Sequence, residues 1–447
     1  LGRYGMIQES MMKILGAHKK NGPFLYRKGV LRKGNQGDQQ KSFLGCLAVL
    51  FLKKNSPSVD DIVTKIKESI TLDNILSFHN GNIPTLFHKE EELESVDIEN
   101  YKHTNLYALF QSHVSRESIL KQFKIIINGY EHFMRYLEKD HGENEVIDYY
   151  YLWDIVSSGI LDEHSENEPL NLIVLKETQN KEQQTTIHLI CPSPGFAKKQ
   201  YDLSKRCILI YQKEKYFEPL IQSDMTPQER VHKKYTENPF FTSENNEPLI
   251  QSLTKILSSA SDKCNVTHDK TMNVHDFVKY FGKVIQKDYT HCTQILNFDN
   301  KIVGICLDDT YIPLKPSSMI QNLSWLNLDL MHDGIWKSYE DTIQSLAEFD
   351  KRSNFKMNCS AKYKVVEDNT IVGVMTKTRF FVKVIHQSLD SVNDALQVEK
   401  GYDMVEMNEE AFVEKDRPLS GDVEDKQIRN LKLEKMFYQG FLKNTQN

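Results

Sequence analysis

Through the first two-fifths of the chain, apolar residues recur at helical spacing. Phe43–Leu52 (FLGCLAVLFL) is apolar on every side and predicts a central, buried helix. Ser58 followed by Asp61 is a capping-box pattern, and Val59, Ile62, Val63, Ile66 and Ile70 continue it as a helix. Ile119, Leu120, Phe123, Ile126, Ile127, Tyr130 and Met134 mark the core face of another helix over 117–137. Before these, Gly22 and Pro23 introduce FLYRKGVLRKGNQGDQQ, which reads as a loop carrying Arg27, Lys28, Arg32 and Lys33.

The period then shortens. LNLIVL (170–175), TIHLIC (186–191), CILIYQ (207–212) and YFEPLI (216–221) are short β-rich runs, and Lys213, Glu214 and Lys215 turn the last two into a hairpin. A domain of helices followed by a small, largely antiparallel sheet is expected over 1–222. The polar, Pro-punctuated stretch 223–248 reads as a linker. A second α+β unit is expected over 249–388. It has helices near 249–260 and 274–287, a hairpin over 301–315, a helix over 335–349 and two strands within 370–385. This unit contains an echo: NKIVGI (300–305) and NTIVGV (369–374) match in register, and each precedes a strand led by an aromatic, Tyr311 or Phe380. Two copies of one hairpin follow from this; no third copy exists to suggest an array. The expected fold class is therefore α+β with paired hairpins in the second unit, followed by an extended tail over 389–447.

At 447 residues the chain has room for two or three domains, and 39% hydrophobic residues suffice for real cores. No apolar run approaches the ~18 residues of a membrane span, so no membrane partner is expected. The chain opens on Leu1 without an initiator Met and is read as a piece of a longer protein. The seven Cys are Cys46, Cys191, Cys207, Cys264, Cys292, Cys306 and Cys359. Their number is odd, their spacings are wide, and most sit in apolar runs, so all are expected to be reduced and buried.

Net charge is −6, placed unevenly. Residues 390–425 hold twelve acids against three basic residues, and 426–447 hold five basic residues and one acid. The acids are Asp390, Asp394, Glu399, Asp403, Glu406, Glu409, Glu410, Glu414, Asp416, Asp422, Glu424 and Asp425. Between them stand apolar anchors, Tyr402 and Phe412 first. Beyond the Pro418–Gly421 break the segment turns basic and aromatic, with Arg429 and Lys432 among its basic residues and a helical apolar stripe at Ile428, Leu431, Met436 and Phe437. An acidic segment of low complexity also serves as a mere solubiliser; the anchors and the basic end favour a partner-binding tail.

No P-loop, GxGxxG, HExxH, EF-hand loop or GxSxG occurs. No His pair has i,i+4 spacing with a carboxylate, so no metal and no cofactor are expected. Tyr149-Tyr150-Tyr151 with Trp153 fits a core helix, or a surface for stacking bases. Cys46 near the start of an apolar helix is the one candidate nucleophile, because a helix N-terminus favours a thiolate. A Cys on a helix, further helices and a terminal hairpin resemble the order of the ovarian-tumour (OTU-like) deubiquitinases. In that family a His after the last hairpin is the general base; here ILIYQKEKYFEPLI holds no His, and His188 lies in an earlier strand. Cys46 is then a structural thiol, and the chain is expected not to be an enzyme.

The order of GRYG, FLYRKGV, SFLGCLA, TLDNILSFHNGNIPTLF, LWDIVSSG, LNLIVLKE, ICPSPGF, ILIYQKEKYFEPLI and KIVGICLDDTYIPLKPSS resembles large proteins of nucleocytoplasmic large DNA viruses, over residues 1–320. The resemblance implies a minor capsid protein of the virion and the cytoplasmic viral factory, with viral RNA polymerase subunits and capsid proteins as partners. It carries over no catalytic residues. The acidic tail is then expected to bind in extended form in the polymerase cleft and to compete with nucleic acid there. At ~3.3–3.6 Å per residue the stretch 390–425 reaches over ~100 Å.

Overall fold

The computed structural model describes residues 4–16, 24–30, 41–54, 56–111, 117–138, 147–163, 168–179, 185–191, 205–224, 236–242, 247–261, 264, 271–297, 301–321, 323–327, 336–400 and 404–407. The class is α+β with mostly antiparallel sheets. Leu1–Glu406 forms one compact unit and Met407–Asn447 a second.

Its opening elements are β1 (Tyr4–Met6), α1 (Glu9–Ile14), β2 (Phe24–Lys28), α2 (Ser42–Phe51), α3 (Val59–Ser69), α4 (Ile83–Phe87), α5 (Asn105–Gln111), α6 (Glu117–Glu138) and α7 (Tyr149–Ser157). The apolar run 43–52 is the buried helix its pattern predicts, and it packs on α3 and on a strand of the sheet. Asp61 closes the capping box, accepting from the Ser58 backbone at 2.9 Å while Ser58 Oγ accepts the Asp61 N–H at 3.1 Å. The tyrosine triplet sits on α7 with all three residues buried, which is the core-helix reading.

The sheet follows: β3 (Asn171–Gln179), β4 (Thr185–Ile190), β5 (Cys207–Lys213), β6 (Tyr216–Ser223) and β7 (Glu237–Asn238). Its order is β1-β2-β6-β5-β3-β4, with β7 on β6; β3 and β5 run parallel, the other pairs antiparallel. The expected loop at FLYRK is thus a strand. Its charges are consumed across the sheet: Arg27 meets Glu218 at 2.9 Å and Lys28 meets Glu237 at 2.7 Å. Arg32 and Lys33 lie outside the described residues. Part of the expected linker is sheet as well, because Phe241 is buried and exchanges two 2.9 Å backbone bonds with Cys207.

One expectation about the cysteines is overturned. Cys191, at the end of β4, is disulfide-bonded to Cys264, beyond α8 (Glu247–Ser261), with Cα atoms 5.1 Å apart. The partners stand 73 residues apart, so spacing gave no sign of them. Cys46, Cys207, Cys306 and Cys359 are free and buried, and Cys292 is free and half-buried.

The remainder is α9 (Val274–Asp288), β8 (Cys292–Leu296), β9 (Ile302–Leu307), β10 (Thr310–Ser317), β11 (Ser324–Asn327), α10 (Tyr339–Arg352), β12 (Ala361–Glu367), β13 (Thr370–Thr376), β14 (Phe381–Ser388), β15 (Gln397–Lys400) and β16 (Met404–Met407). These elements, β16 aside, are two copies of one larger design. Each copy starts with a helix on a side-chain cap, Asn273 or Ser338. A three-stranded meander follows, and a fourth strand then pairs parallel with the first: orders β10-β9-β8-β11 and β14-β13-β12-β15.

The irregularities repeat too. Gly304 pairs with Pro313 and Ile302 with Ser317; Gly373 pairs with Lys383 and Ile371 with Gln387, the same jump of partner in each copy. Gly304 and Gly373 occupy equivalent places for one steric reason. A Cβ on Gly304 would stand 2.2 Å from the Tyr311 ring, and one on Gly373 would stand 2.2 Å from the Phe381 ring. Ile302 and Ile371 are both fully buried in one shared core. A separate core, built from residues between Val30 and Phe240, lies under the helices and the large sheet.

Candidate functional site

The acidic segment is the region to which the sequence points, and its first part belongs to the fold. Asn369 donates to Asp390 at 2.9 Å. Asp394 accepts from Tyr339 at 2.5 Å and from Lys364 at 2.9 Å. Burial pushes its carboxyl up, but these hydrogen bonds outweigh that and leave it below the usual carboxylate range. Glu399, buried on β15, is held by both of its oxygens on the Arg379 guanidinium, at 2.8 and 3.1 Å. These three acids, expected in a free tail, are instead structural acceptors, because β15 completes the second four-stranded sheet. Glu406 on β16 is exposed. Tyr402, Asp403, Glu409, Glu410, Phe412, Glu414, Asp416, Asp422, Glu424, Asp425, Arg429, Lys432 and Phe437 lie outside the described residues.

Cys46 does not have the setting of a nucleophile. It is fully buried on α2, and burial, then the charge of Glu218, push its thiol well up. His188 sits on β4, where its ring bonds Thr186 Oγ1 at 3.2 Å. The hydroxyl and thiol chemistry of a protease is therefore not assembled around Cys46.

A buried polar cluster joins residues that no local sequence pattern links. The β12–β13 turn, with Asp368 and Asn369 both at positive φ as a type I′ hairpin requires, presents Glu367 and Asp368 to the helices of the first core. Glu367 accepts from Tyr150 at 2.7 Å and bonds His79 Nε2 at 3.0 Å; Tyr151 donates to Asp368 at 3.2 Å. His79 itself stands at φ 50°, held there by a 2.9 Å bond from its backbone N–H to Asp154. Burial raises the Glu367 carboxyl, but the charge and hydrogen bond of His79 and the hydrogen bond of Tyr150 outweigh it, so the group stays ionised below its usual range. Nearby, burial and then the charge of Lys383 hold His386 down at about 4. Lys383 also donates to Thr85 at 3.0 Å, so β14 is tied to α4. A His–Glu pair is the kit of a general base, yet both side chains are buried and out of a substrate's reach. The cluster is an anchor between the second copy and the helical core.

Among the described residues, no group of His, Cys, Asp and Glu is arranged to hold a metal, and no helix is long and apolar enough to cross a membrane. No protein-family model, curated protein or solved structure matches the chain.

Proposed function

We propose that the chain is a non-catalytic viral binding module that docks on the viral multisubunit RNA polymerase, its acid-rich C-terminal segment lying in the enzyme's nucleic-acid cleft. The carrying observation is charge: between residues 403 and 425, nine acids stand against two basic residues. Such a cleft is lined with Lys and Arg that hold a phosphate backbone, and a chain dense in carboxylates imitates that pattern. Extended at ~3.3–3.6 Å per residue, these residues reach about 80 Å. Long-range attraction speeds capture, and Tyr402 and Phe412 set the register. Arg429, Lys432 and Phe437 then seek an acidic or apolar surface further along. The ordered segments quoted above are similar to the C-terminal part of the large polymerase-associated minor capsid protein of African swine fever virus, which supports the polymerase as partner. On this reading the chain acts in the virion and the viral factory of the host cytoplasm, inhibiting the enzyme or packaging it. A capsid-scaffold role without polymerase contact is the alternative, and it leaves the acid run without a cationic partner. The setting of Cys46 speaks against the OTU-like protease.

The test is capture of purified viral polymerase by the full chain and by a chain ending at Met407. The full chain is expected to hold the enzyme stoichiometrically and to release it steeply as salt rises, since many exposed charges take part. Equal capture by both chains at every salt concentration would contradict the charge reading.

A further inference from the structure

The outer face of α9 carries cations that no carboxylate answers. Lys279, Lys283 and Lys287 recur at i, i+4 and i+8 and are all exposed, while Phe277, Phe281 and Ile285 bury the opposite face. They form a row about 12 Å long, in steps of about 6 Å. Among the described residues none of the three pairs with a carboxylate, whereas Arg27, Lys28 and Arg352 each meet one. Asp276 shares the face at the first turn, where an acid favours the helix N-terminus, and Asp288 closes the helix on another side.

A second observation stands beside this row. Tyr280 is 59% exposed, and the Lys356 ammonium lies 5.9 Å from the centre of its ring, so the loop after α10 abuts α9 there. α10 stops as helices ordinarily do. Asn354 takes a φ of 55°, and the N–H groups of Asn354 and Phe355 return to the carbonyls of Lys351 and Asp350 at 3.0 and 2.8 Å. Phe355 departs from that pattern. An apolar residue at its place ordinarily packs back on the helix. Phe355 instead is 57% exposed, at a φ of 58° that bulky side chains rarely adopt. Met357, two residues on, is buried and pins the loop. The fold thus holds an aromatic ring out in water beside a second exposed ring and a row of unpaired cations, and gains little packing from doing so.

We propose that this face binds single-stranded nucleic acid, with Lys279, Lys283, Lys287 and Lys356 on its phosphates and Tyr280 and Phe355 stacked on its bases. Cations at even steps track a phosphate backbone without reading sequence, and every base offers a ring its π-face. A duplex keeps its base faces stacked inside and leaves both rings unused. An acidic peptide matches the cations but brings no flat faces to the rings. The inference stands apart from the polymerase proposal, because it concerns cations of the folded unit and not the acids of 403–425.

The experiment is fluorescence anisotropy of a labelled single strand of about twelve nucleotides, titrated with the full chain at about 50 mM salt. Saturable binding tighter than about 100 μM is expected, with log affinity falling against log salt at a slope of roughly −2 to −3, for three to four phosphates. Lys279→Gln, Lys283→Gln and Lys287→Gln combined should weaken it about tenfold or more. Lys53→Gln, exposed at the end of α2, should leave it unchanged. Phe355→Gly separates binding from structure. Glycine accepts the positive φ, so the melting temperature should hold or rise while affinity falls about fivefold. A duplex of equal length and polyglutamate are the other arms, and both should bind more weakly than the single strand. No saturable binding, an affinity unchanged in the lysine and Phe355 variants, or equal or tighter binding of duplex or polyglutamate would overturn the proposal.

Discussion

In the first copy of the helix-and-meander design, the loop between β8 and β9 is closed by Asn297 and Lys301, which bond each other's backbone and side chain at 2.8 and 2.9 Å. In the second copy the corresponding turn carries Glu367 and Asp368 into the tyrosines of α7. Both copies keep the same glycine under an aromatic ring and the same jump in register. They differ where one of them must grip the rest of the molecule. The sterics of a sheet are shared by any copy of it; its turns are free to acquire a partner.

The largest effect expected from this difference is at Glu367. Replacing it by Ala leaves His79 and Tyr150 buried without their acceptor, and should cost about 3–5 kcal/mol in urea denaturation. Asn297→Ala, in the place of Glu367 in the first copy, removes one side-chain bond and should cost about 1 kcal/mol. Equal costs would erase the distinction between the copies.

The glycines sharpen the comparison. Gly304→Ala and Gly373→Ala should each cost about 3 kcal/mol through overpacking. The three atoms nearest a Cβ at 304 all belong to the Tyr311 side chain, so Tyr311→Ala in the same chain should relieve that clash. At 373 the Val382 carbonyl also stands 2.8 Å away, so Phe381→Ala should relieve less. Equal relief at the two sites would show that the backbone contact in the second copy is without consequence.

A smaller effect depends on pH. His386 is held from 6.5 down to about 4 in the fold, first by burial and then by Lys383, with Glu367 opposing and His88 adding to the lowering. A histidine with a depressed pKa keeps its full contribution above its unfolded value and loses it as pH falls toward its folded value. Stability should therefore drop by about 2–3 kcal/mol between pH 6.5 and 4. His386→Asn should flatten that slope. The first copy, with Pro316 at the matching place, has no such group. An unchanged slope in the variant would assign the pH dependence to other groups.

Much of this was legible in the sequence. Helical spacing located α2, α3 and α6, and the NxIVG match located β9 and β13 because a glycine under an aromatic leaves a mark in both copies. The strands that flank them left less. β8 (CTQIL) is short and half polar, and in β12 (AKYKVVE) Lys364 is buried on Asp394, which an alternation rule counts as surface. FLYRK was hidden by charges paired across the sheet. The His79–Glu367 contact spans 288 residues, and no local pattern carries it. Asp390, Asp394 and Glu399 looked like the start of a tail because composition does not distinguish an acid that accepts a buried lysine from one left in water.

We propose that the acidic segment takes the place of nucleic acid on the polymerase. The most direct measurement is template DNA binding and transcription by the viral polymerase, with the full chain added in one series and the chain ending at Met407 in another. The full chain should displace template and suppress transcription in a salt-sensitive manner, and the shortened chain should do neither. If both chains leave DNA binding and transcription equally unaffected, the segment does not occupy the cleft, and the account is contradicted.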